Sequence, residues 1–550
     1  MCEREMDGAL FKTLLESGCR SLKANVRRLN DLNVFPIPDG DTGDNMLKTL
    51  YGGFLAIKDA EGPLGALAEN AARGMLLSAR GNSGVILSQM FAGIAKGMQG
   101  VSQADALTLM GAFSEGVKSA YAAVPEPVEG TMLTVMREAV GHASRCEEAR
   151  ESLPQFFTEY ANGMEASLKR TPELLPVLKE ANVIDSGGAG LLCVAQGFVR
   201  AISGDMPEEE EPCAAEETAA ADLSAFDENS VMIYGYCTEF LLQLTHAKTD
   251  IPAFSLESFK RRLAGMGDSI VAVQTGTIVK IHIHTLSPGA ILQYAQTFGE
   301  FLTVKIENMT LQHHETALRE KTEFERIAKR RKNAVVAVAN GTGVKAAFRE
   351  LGADIVIDDC AGNTPSTELF LKAFDAVNAD RIFVLPDNGN FLMPAQEAAK
   401  LYQDSDVRIL PAKNVGDGYA ALAALDFSSD DGDEIERNLK EEIEDSASAV
   451  VARSVRDVNM DAVCVKKGEY IGFADKKILT ASDDKVETAV ELAEKLGAGE
   501  KNFIVAFYGR EVTEEEKSTF GRRVAEKFPD AEFYELDGGQ ELYDFVLVLQ

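Results

Sequence analysis

The sequence predicts a multidomain protein in which an all-helical N-terminal domain is followed by two α/β domains. Three observations lead to this prediction. The chain has 550 residues, which is too long for one hydrophobic core. Apolar residues recur at helical spacing from residue 8 to about residue 203, whereas strand and helix patterns alternate beyond residue 223. An acidic segment that is poor in large apolar side chains separates the two patterns.

The N-terminal region, residues 1–203, has the pattern of a helical bundle or barrel. Phe11, Leu15 and Leu22 recur at helical spacing, and later stretches rich in Ala, Leu and Met are separated by short turns that contain Gly or Pro. Amphipathic helices joined by short connections are typical of a closed all-α domain.

Residues 204–222 have the composition of a solvated acidic linker. Three segments beyond it predict strands of an α/β middle domain, residues 223–320: SVMIYGYC, SIVAVQTG and TIVKIHIHT. A further α/β pattern covers residues 325–550, where strand segments such as NAVVAVAN and DRIFVLPDN alternate with helical ones and indicate a parallel sheet. Strands after about residue 445 predict a second lobe of this C-terminal domain.

Composition and charge exclude several classes of partner. The net charge is -32, with 87 acidic against 55 basic residues, so the surface repels nucleic acid and anionic lipid. No apolar run approaches the roughly 20 residues of a membrane span, and the N-terminus lacks the pattern of a signal peptide. The 8 cysteines are scattered without a CxxC pair, which indicates reduced thiols. We therefore expect a cytoplasmic protein that does not bind nucleic acid.

The segment NVFPIPDGDTGDNM, residues 33–46, is the strongest candidate for chemistry. Asp39 and Asp41 lie on a loop that leads into a helical stretch, and carboxylate oxygens are suitable ligands for Mg²⁺. The N–H groups at the helix N-terminus would be available to phosphate. An EF-hand is excluded because its Gly and Glu positions hold Asp44 and Leu50, and the chain has no P-loop sequence. A turn with only a structural role remains the alternative.

Three more segments rich in Gly, Ser and Thr precede apolar helical stretches in the same domain: SARGNSGVILSQ at 78–89, PVEGTMLTV at 127–135 and DSGGAGLL at 185–192. Small residues allow the backbone to approach a ligand closely. One such loop is usually a simple connection, whereas four at helix ends of one bundle indicate a nucleotide site.

These four segments, in this order, closely resemble the nucleotide-binding domain of fatty acid kinase catalytic subunits (FakA). That domain is related to the ADP-binding L subunit (DhaL) of dihydroxyacetone kinases. The resemblance extends over the whole chain, which is similar to the family in its DhaL-like helical barrel, acidic linker and middle domain. The C-terminal domain is similar to DegV-type fatty acid carriers.

The resemblance implies that one end of the helical barrel holds ATP through two Mg²⁺ ions on a small acidic cluster. Asp39 and Asp41 fall on two catalytic, metal-binding members of that cluster, and Asn33 falls near the third, where dihydroxyacetone kinases have Asp. Asp44 departs from the family, which has Thr there, so both a metal ligand and a helix cap fit this position. Five further residues fall where the family lines the nucleotide: Asn45, Ser83, Gly84, Thr131 and Met132.

For function, the resemblance implies transfer of the ATP γ-phosphoryl group to a fatty acid carboxylate on a separate DegV-type carrier. The product would be an acyl phosphate for phospholipid synthesis. A carboxylate is already ionised at neutral pH, so no general base is needed, in agreement with the absence of His from the four segments. We also expect a homodimer, and we expect the C-terminal domain to dock the carrier because that domain itself resembles such carriers.

Two alternative functions remain. One is a dihydroxyacetone-type kinase subunit, although the chain lacks a K-type domain and such kinases have no DegV-like half. The other is a ligand-binding regulatory protein without kinase activity, which the intact Asp39 and Asp41 argue against.

The middle domain contains a candidate zinc site. Alternation along the segment TIVKIHIHT places His282 and His284 on one strand face, about 7 Å apart. Cys237, at the end of a neighbouring predicted strand, could supply a third ligand. A polar strand face without metal is the alternative interpretation of the residues alone. A Cys-His-His zinc site at these positions is what the resemblance implies.

The segment 341–346 fits the dinucleotide pattern G-x-G-x-x-A after a predicted strand, with Asp358 after the next strand. The pattern is short, and the resemblance of this region to DegV-type carriers argues against a nicotinamide cofactor. We expect this loop to serve docking or simply to connect a strand to a helix.

Overall fold

The computed structural model describes residues 5–32, 41–181, 183–204, 236–263, 265–275, 277–308, 324, 326–359, 364–460, 463–474 and 477–550. The chain forms two compact units. One contains Met1–Glu210 together with Glu325–Gln550, and the other is Glu211–Phe324. The predicted linker therefore lies almost entirely outside the described residues.

The first domain is helical, as predicted. Its helices are α1 (Gly8–Lys23), α2 (Val26–Asn30), α3 (Thr42–Ile57), α4 (Leu64–Ser78), α5 (Gly81–Gly97), α6 (Ala106–Ala123), α7 (Met132–Arg145), α8 (Leu153–Leu168), α9 (Thr171–Leu174), α10 (Pro176–Glu180) and α11 (Ser186–Ile202), with a 3-10 turn at Glu148–Arg150.

One hydrophobic core joins the helices of this domain. The predicted apolar stripe of α1 is buried, with Leu15 and Leu22 fully inaccessible. Phe113 on α6 packs edge-on against Phe156 and Tyr160 on α8, with ring centroids 5.4 and 5.0 Å apart. Burial of each such side chain contributes about 1.5–3 kcal/mol, and this packing holds the helix ends in fixed positions.

The middle domain is an antiparallel sheet with two helices. Its elements are β1 (Tyr236–Leu244), α12 (Leu256–Leu263), β2 (Asp268–Thr275), β3 (Ile278–Thr285), α13 (Pro288–Ala295) and β4 (Gly299–Asn308), with a 3-10 turn at Ile251–Ala253. The strand order is β2-β3-β1-β4. Val279, Ile281 and Ile283 of β3 form a buried face against Phe259 of α12, as the alternation of the sequence predicts.

The C-terminal domain begins with the predicted parallel sheet, in the order β6-β5-β7-β8. Its elements are β5 (Arg331–Ala339), α14 (Thr342–Glu350), β6 (Ile355–Asp358), α15 (Thr367–Val377), β7 (Ala379–Leu385), α16 (Leu392–Leu401), β8 (Asp406–Ile409), α17 (Val415–Ala423) and α18 (Gly432–Asp445).

The predicted second lobe is a mixed sheet in the order β13-β12-β9-β16-β14-β15, beside a β10-β11 hairpin. Its elements are β9 (Ala447–Arg453), β10 (Val458–Met460), β11 (Val463–Val465), β12 (Tyr470–Ala474), β13 (Lys477–Ser482), α19 (Lys485–Lys495), a 3-10 turn (Ala498–Glu500), β14 (Phe503–Tyr508), α20 (Glu514–Lys527), β15 (Glu532–Asp537) and β16 (Phe545–Leu549). Val335 of the parallel sheet and Val450 and Phe507 of the mixed sheet share one core, so the lobes form one body.

The helical domain packs directly on the C-terminal domain. Met393 of α16 contacts Val85 of α5 and Ala79, which precedes that helix, and the Gln89 amide donates a 2.9 Å hydrogen bond to the Glu397 carboxylate. This contact between segments about 300 residues apart was not predicted from the sequence.

Across the described residues, no helix has both the length and the hydropathy needed to cross a membrane. The described cysteines Cys19, Cys146, Cys193 and Cys464 are free thiols, as the scattered spacing predicts.

Candidate functional site

The four Gly-rich segments identified in the sequence form the starts of α3, α5, α7 and α11. Contacts between their first turns place them at one end of the helical domain. A Cβ added to Gly81 at the start of α5 would lie 2.5 Å from the Asn45 amide nitrogen on α3. A Cβ on Gly190 of α11 would lie 2.5 Å from the Met46 sulfur on α3, and one on Gly187 would lie 3.0 Å from the Met132 sulfur on α7.

Asp41 is the N-cap residue of α3, but its carboxylate does not cap that helix. Its Oδ2 instead accepts a 2.9 Å hydrogen bond from the Thr364 hydroxyl of the C-terminal domain. Burial raises the pKa of Asp41, and hydrogen bonds from Thr364 and Asn45 partly offset that rise, whereas the nearby charge of Asp44 adds to it. The carboxylate is therefore held in place from both domains.

Asn45, Ser83 and Gly84 lie in the contact between α3 and α5. Asn45 is only 3% exposed, and its side chain hydrogen-bonds to Asp41. Gly81 has a φ of 56°, a conformation that glycine adopts without strain. Gly84 is buried, and a Cβ there would lie 2.5 Å from the Thr49 hydroxyl. Ser83 is partly exposed in the first turn of α5.

Thr131 and Met132 begin α7. The Thr131 hydroxyl donates to the Val128 carbonyl at 2.7 Å, so it does not cap the helix. Met132 is buried, and its backbone N–H donates to the Asp185 carboxylate.

Asp185 links the starts of two helices, α7 and α11. Its carboxylate accepts from the N–H of Gly188 at 2.6 Å as well as from that of Met132. Burial raises the pKa of Asp185 to about 6, although both N–H groups favour the ionised form. Asp185 stood within a recognised segment but was not predicted as a site residue. The sequence signal that could have identified it is an acidic residue directly before Ser-Gly-Gly, which is a favourable N-cap position.

Asp44 is not the N-cap of α3, so the cap interpretation needs correction. Its carboxylate accepts a 2.7 Å hydrogen bond from the Asn30 amide. The Asn30 oxygen in turn accepts from the Gly43 N–H at 2.8 Å. The Asn30 side chain thus accepts a hydrogen bond from an N–H group at the start of α3, and the Asp44 carboxylate orients that side chain.

Thr364 and Asp359 of the C-terminal domain approach this end of the helical domain. The Arg80 guanidinium donates to the Thr364 carbonyl at 2.8 Å. Asp359, at the end of β6, is close enough to Asp41 for their charges to interact. Burial, with the charges of Asp41 and Asp358, raises the pKa of Asp359 to about 7. No local sequence pattern indicated that Asp359 and Thr364 would meet Asp41.

Asn33 and Asp39 lie outside the described residues, so their placement stays a prediction. The side chains of Cys237, His282 and His284 are likewise not described. The backbone register of β1 and β3 places Cys237 directly opposite His284, and Glu239 opposite His282. Opposite residues of an antiparallel pair share a sheet face. In the part of the chain that the structure describes, no group of three His, Cys, Asp or Glu side chains could hold a metal ion.

The dinucleotide-like loop 341–346 has a structural role. The N–H groups of Gly343 and Val344 donate to the Gly538 carbonyl at 2.9 and 3.2 Å. A residue of the second lobe therefore accepts the hydrogen bonds of these N–H groups at the start of α14. Lys345 pairs with Asp358 at 2.8 Å. These contacts occupy the groups that a nicotinamide dinucleotide would need, in agreement with the interpretation of this loop as a strand-to-helix connection.

The arrangement at the four helix starts fits a phosphate held with a hard cation. Helix N-termini offer N–H groups and positive potential to phosphate oxygens. Asp41 offers carboxylate oxygen, and the Asn82 side-chain oxygen is buried without a hydrogen-bond partner among the described residues. Oxygen donors of this kind are the ligands that Mg²⁺ prefers.

Comparison with known proteins gives family matches along the chain. A family model described as the DAK2 domain matches residues 36–200. Two models of the FakA-like fatty acid kinase family match the remainder, residues 233–316 as its middle domain and residues 334–550 as its C-terminal domain.

Full-length relatives are also similar. Protein YloV of Bacillus subtilis is 35% identical over 558 residues, which cover 100% of each chain. An uncharacterized protein of Staphylococcus haemolyticus is 33% identical over 554 residues, which cover 99% of this chain and 100% of its own. Among solved structures, the dihydroxyacetone kinase of C. freundii in complex with AMP-PNP and Mg²⁺ is 20% identical, with a TM-score of 0.29. It covers 36% of this chain and 34% of its own.

Proposed function

Because the chain belongs to the FakA-like fatty acid kinase family, we propose that it is the ATP-binding component of a fatty acid kinase. It transfers the γ-phosphoryl group of ATP to the carboxylate of a fatty acid on a separate DegV-type carrier, which gives an acyl phosphate. The observation that carries this proposal is the meeting of four helix starts beside Asp41 and Asn45.

The roles of the residues follow from phosphoryl-transfer chemistry, which depends on positioning and charge neutralisation. Asp41 would hold Mg²⁺ together with Asp39 and Asn33, and Mg²⁺ would neutralise charge on the phosphate oxygens. The starts of α5 and α7, with Ser83, Gly84, Thr131 and Met132, would bind the nucleotide through backbone N–H groups.

No protein base is required, because the acceptor carboxylate is ionised at neutral pH. The helical domain contains one histidine, and its position agrees with a reaction that needs no protein base. His142 lies late in α7 and pairs with Glu159 at 2.9 Å, on a helix turn remote from the N-terminal ends that form the candidate site.

A carrier is required because a fatty acid tail is too apolar to reach an acidic, polar site free in water. We propose that the C-terminal domain, residues 325–550, docks this carrier, with residues 1–203 as the kinase domain and residues 204–222 as the linker. The direct packing of this domain on α5 supports docking next to the phosphoryl donor.

The proposal is tested by reconstitution of the full chain with ATP, Mg²⁺ and a carrier loaded with fatty acid. Acyl phosphate is trapped as hydroxamate with hydroxylamine. We expect Asp41→Asn to lower the rate by on the order of 100-fold or more, as is typical when charge stabilisation at a reacting phosphate is lost. Asp105→Asn is the matched control, because Asp105 is the N-cap of α6 and accepts from Thr108. Its activity should equal that of the wild type.

The same assay separates the alternatives. Phosphorylation of dihydroxyacetone without a carrier would indicate a dihydroxyacetone-type kinase. Absence of any ATP turnover by the wild-type chain with a loaded carrier would indicate a regulatory protein.

We also propose a zinc site on Cys237, His282 and His284 of the middle domain. The opposite positions of Cys237 and His284 support it, because a shared face brings ligands of adjacent strands within reach of one tetrahedral ion.

A homodimer is proposed on the basis of an exposed apolar row on β4. Val304 and Ile306 are 43 and 42% exposed and share one face of the strand, and Leu302, at the register shift of β4 against β1, is 54% exposed. Since β4 is at the edge of its sheet, this row could be covered by a second copy of the chain.

A further inference from the structure

The Thr364 hydroxyl makes a hydrogen bond between the two large domains at the centre of the candidate site. It donates to Oδ2 of Asp41 at 2.9 Å, across 323 residues of sequence. Thr364 is 8% exposed, so this bond is shielded from competing water. A shielded hydrogen bond to a carboxylate is stronger and more directional than one at the surface.

The backbone around Thr364 is fixed by the helical domain. Arg80, the N-cap residue of α5, donates to the Thr364 carbonyl at 2.8 Å. Arg80 also forms a backbone bridge with Ser366, and the Thr367 N–H donates to the Ala79 carbonyl at 3.2 Å. The hydroxyl is therefore presented to Asp41 from a backbone that is itself held in place.

Asp41 depends on this external contact for its orientation. It is the N-cap residue of α3, yet its carboxylate makes no capping bond to its own helix. The described partners of that carboxylate are the Thr364 hydroxyl and the Asn45 side chain. Thr364 engages Oδ2, so it determines which carboxylate oxygen remains for a ligand of the site.

We propose that Thr364 is a positioning residue for a metal site on Asp41, so that the C-terminal domain completes the kinase site of the same chain. The inference rests on the proposed function, in which Asp41 is a Mg²⁺ ligand. Hydrogen bonds to ligating carboxylates orient them, and their loss typically lowers metal affinity 10- to 100-fold.

The experiment measures binding of Mn²⁺ to the full-length chain by electron paramagnetic resonance, with saturating ADP and no carrier. Thr364→Val keeps the size of the side chain and removes the donor, so Mn²⁺ affinity should fall about tenfold or more. Thr364→Ser restores the hydroxyl and should lie within about threefold of the wild type. In the carrier assay, Thr364→Val should need more Mg²⁺ for half-maximal rate while kcat at saturating Mg²⁺ stays near wild type.

Gln89→Met is the matched control, because it also removes one hydrogen bond between the same domains, to Glu397, without contact to Asp41. Its Mn²⁺ affinity should not change. Wild-type or tighter binding in Thr364→Val, or equal losses in Thr364→Val and Gln89→Met, would overturn the positioning role. The variant Asp41→Asn distinguishes a failure of the positioning role of Thr364 from a failure of the proposed function. If it binds Mn²⁺ as the wild type does, the metal site of the proposed function is wrong and the role of Thr364 fails with it.

Discussion

Asp185 offers a test of the local energetics at the starts of α7 and α11. Its carboxylate holds the starts of α7 and α11 together through the N–H groups of Met132 and Gly188. Burial nevertheless raises its pKa from 3.8 to about 6, so its ionised form is disfavoured in the folded protein. We expect Asp185→Asn to keep an acceptor for a helix start, since Asn is also a favoured N-cap residue, and to remove the buried charge.

The sign and size follow from linkage. Because the folded pKa is above the unfolded value, rising pH favours the unfolded state from about pH 4 to the folded pKa. The cost of ionising Asp185 is then about 3 kcal/mol above pH 7 and roughly half of that at pH 5. The variant should therefore be more stable than the wild type, and by about twice as much at pH 8 as at pH 5.

Hydrogen exchange measured by mass spectrometry gives the local opening free energy of α7 and α11 in the full chain. Each comparison with the wild type is made at one pH, which cancels intrinsic exchange rates. Asp105→Asn is a control of opposite sign, because a backbone hydrogen bond from Thr108 lowers the pKa of Asp105. That variant should lose protection in α6 near neutral pH. If the stability advantage of Asp185→Asn is absent, or is equal at pH 5 and pH 8, the Asp185 carboxylate carries no such ionisation cost.

Three further predictions concern other parts of the molecule. Gly81→Ala should destabilise the helical domain by about 1–2 kcal/mol from its positive φ and weaken nucleotide binding, since the added Cβ meets Asn45. The control Gly111→Ala, in open space on α6, should stabilise it by about 0.5–1 kcal/mol in thermal unfolding. Elemental analysis of protein purified without added metal should find about one zinc per chain, and His284→Ala should release it; equal metal content in both would remove the zinc site. Val304→Lys should convert dimers to monomers in light scattering, and an unchanged mass would place the dimer contact elsewhere.

Local sequence patterns predicted the helical domain and the loops at which four of its helices begin. Helical spacing of apolar residues such as Leu15 and Leu22 directly reflects one buried face. The four Gly-rich segments were predicted to precede helices, and α3, α5, α7 and α11 begin within them. Such features are encoded by neighbouring residues, so they can be recognised without the fold.

Contacts between distant segments could not be predicted in this way. The bond from Thr364 to Asp41 depends on how two domains pack, and neither residue has a neighbour that indicates the other. Asp44 could be placed near the start of α3, but its bond to Asn30 depends on how α2 packs against α3. The loop at Gly341 has the sequence of a cofactor loop, yet the Gly538 carbonyl from a distant segment occupies its N–H groups.

In the proposed reaction, a fatty acid carboxylate attacks the γ-phosphorus of ATP in the site beside Asp41. A carrier loaded with fatty acid that has ¹⁸O in both carboxylate oxygens tests it directly, with ATP, Mg²⁺ and hydroxylamine present. Attack by the carboxylate places one labelled oxygen in the C–O–P bridge, and hydroxylamine then releases it with the phosphate. We predict one ¹⁸O per released phosphate and one hydroxamate for each. Unlabelled phosphate would mean that water is the acceptor and that no acyl phosphate forms by this route.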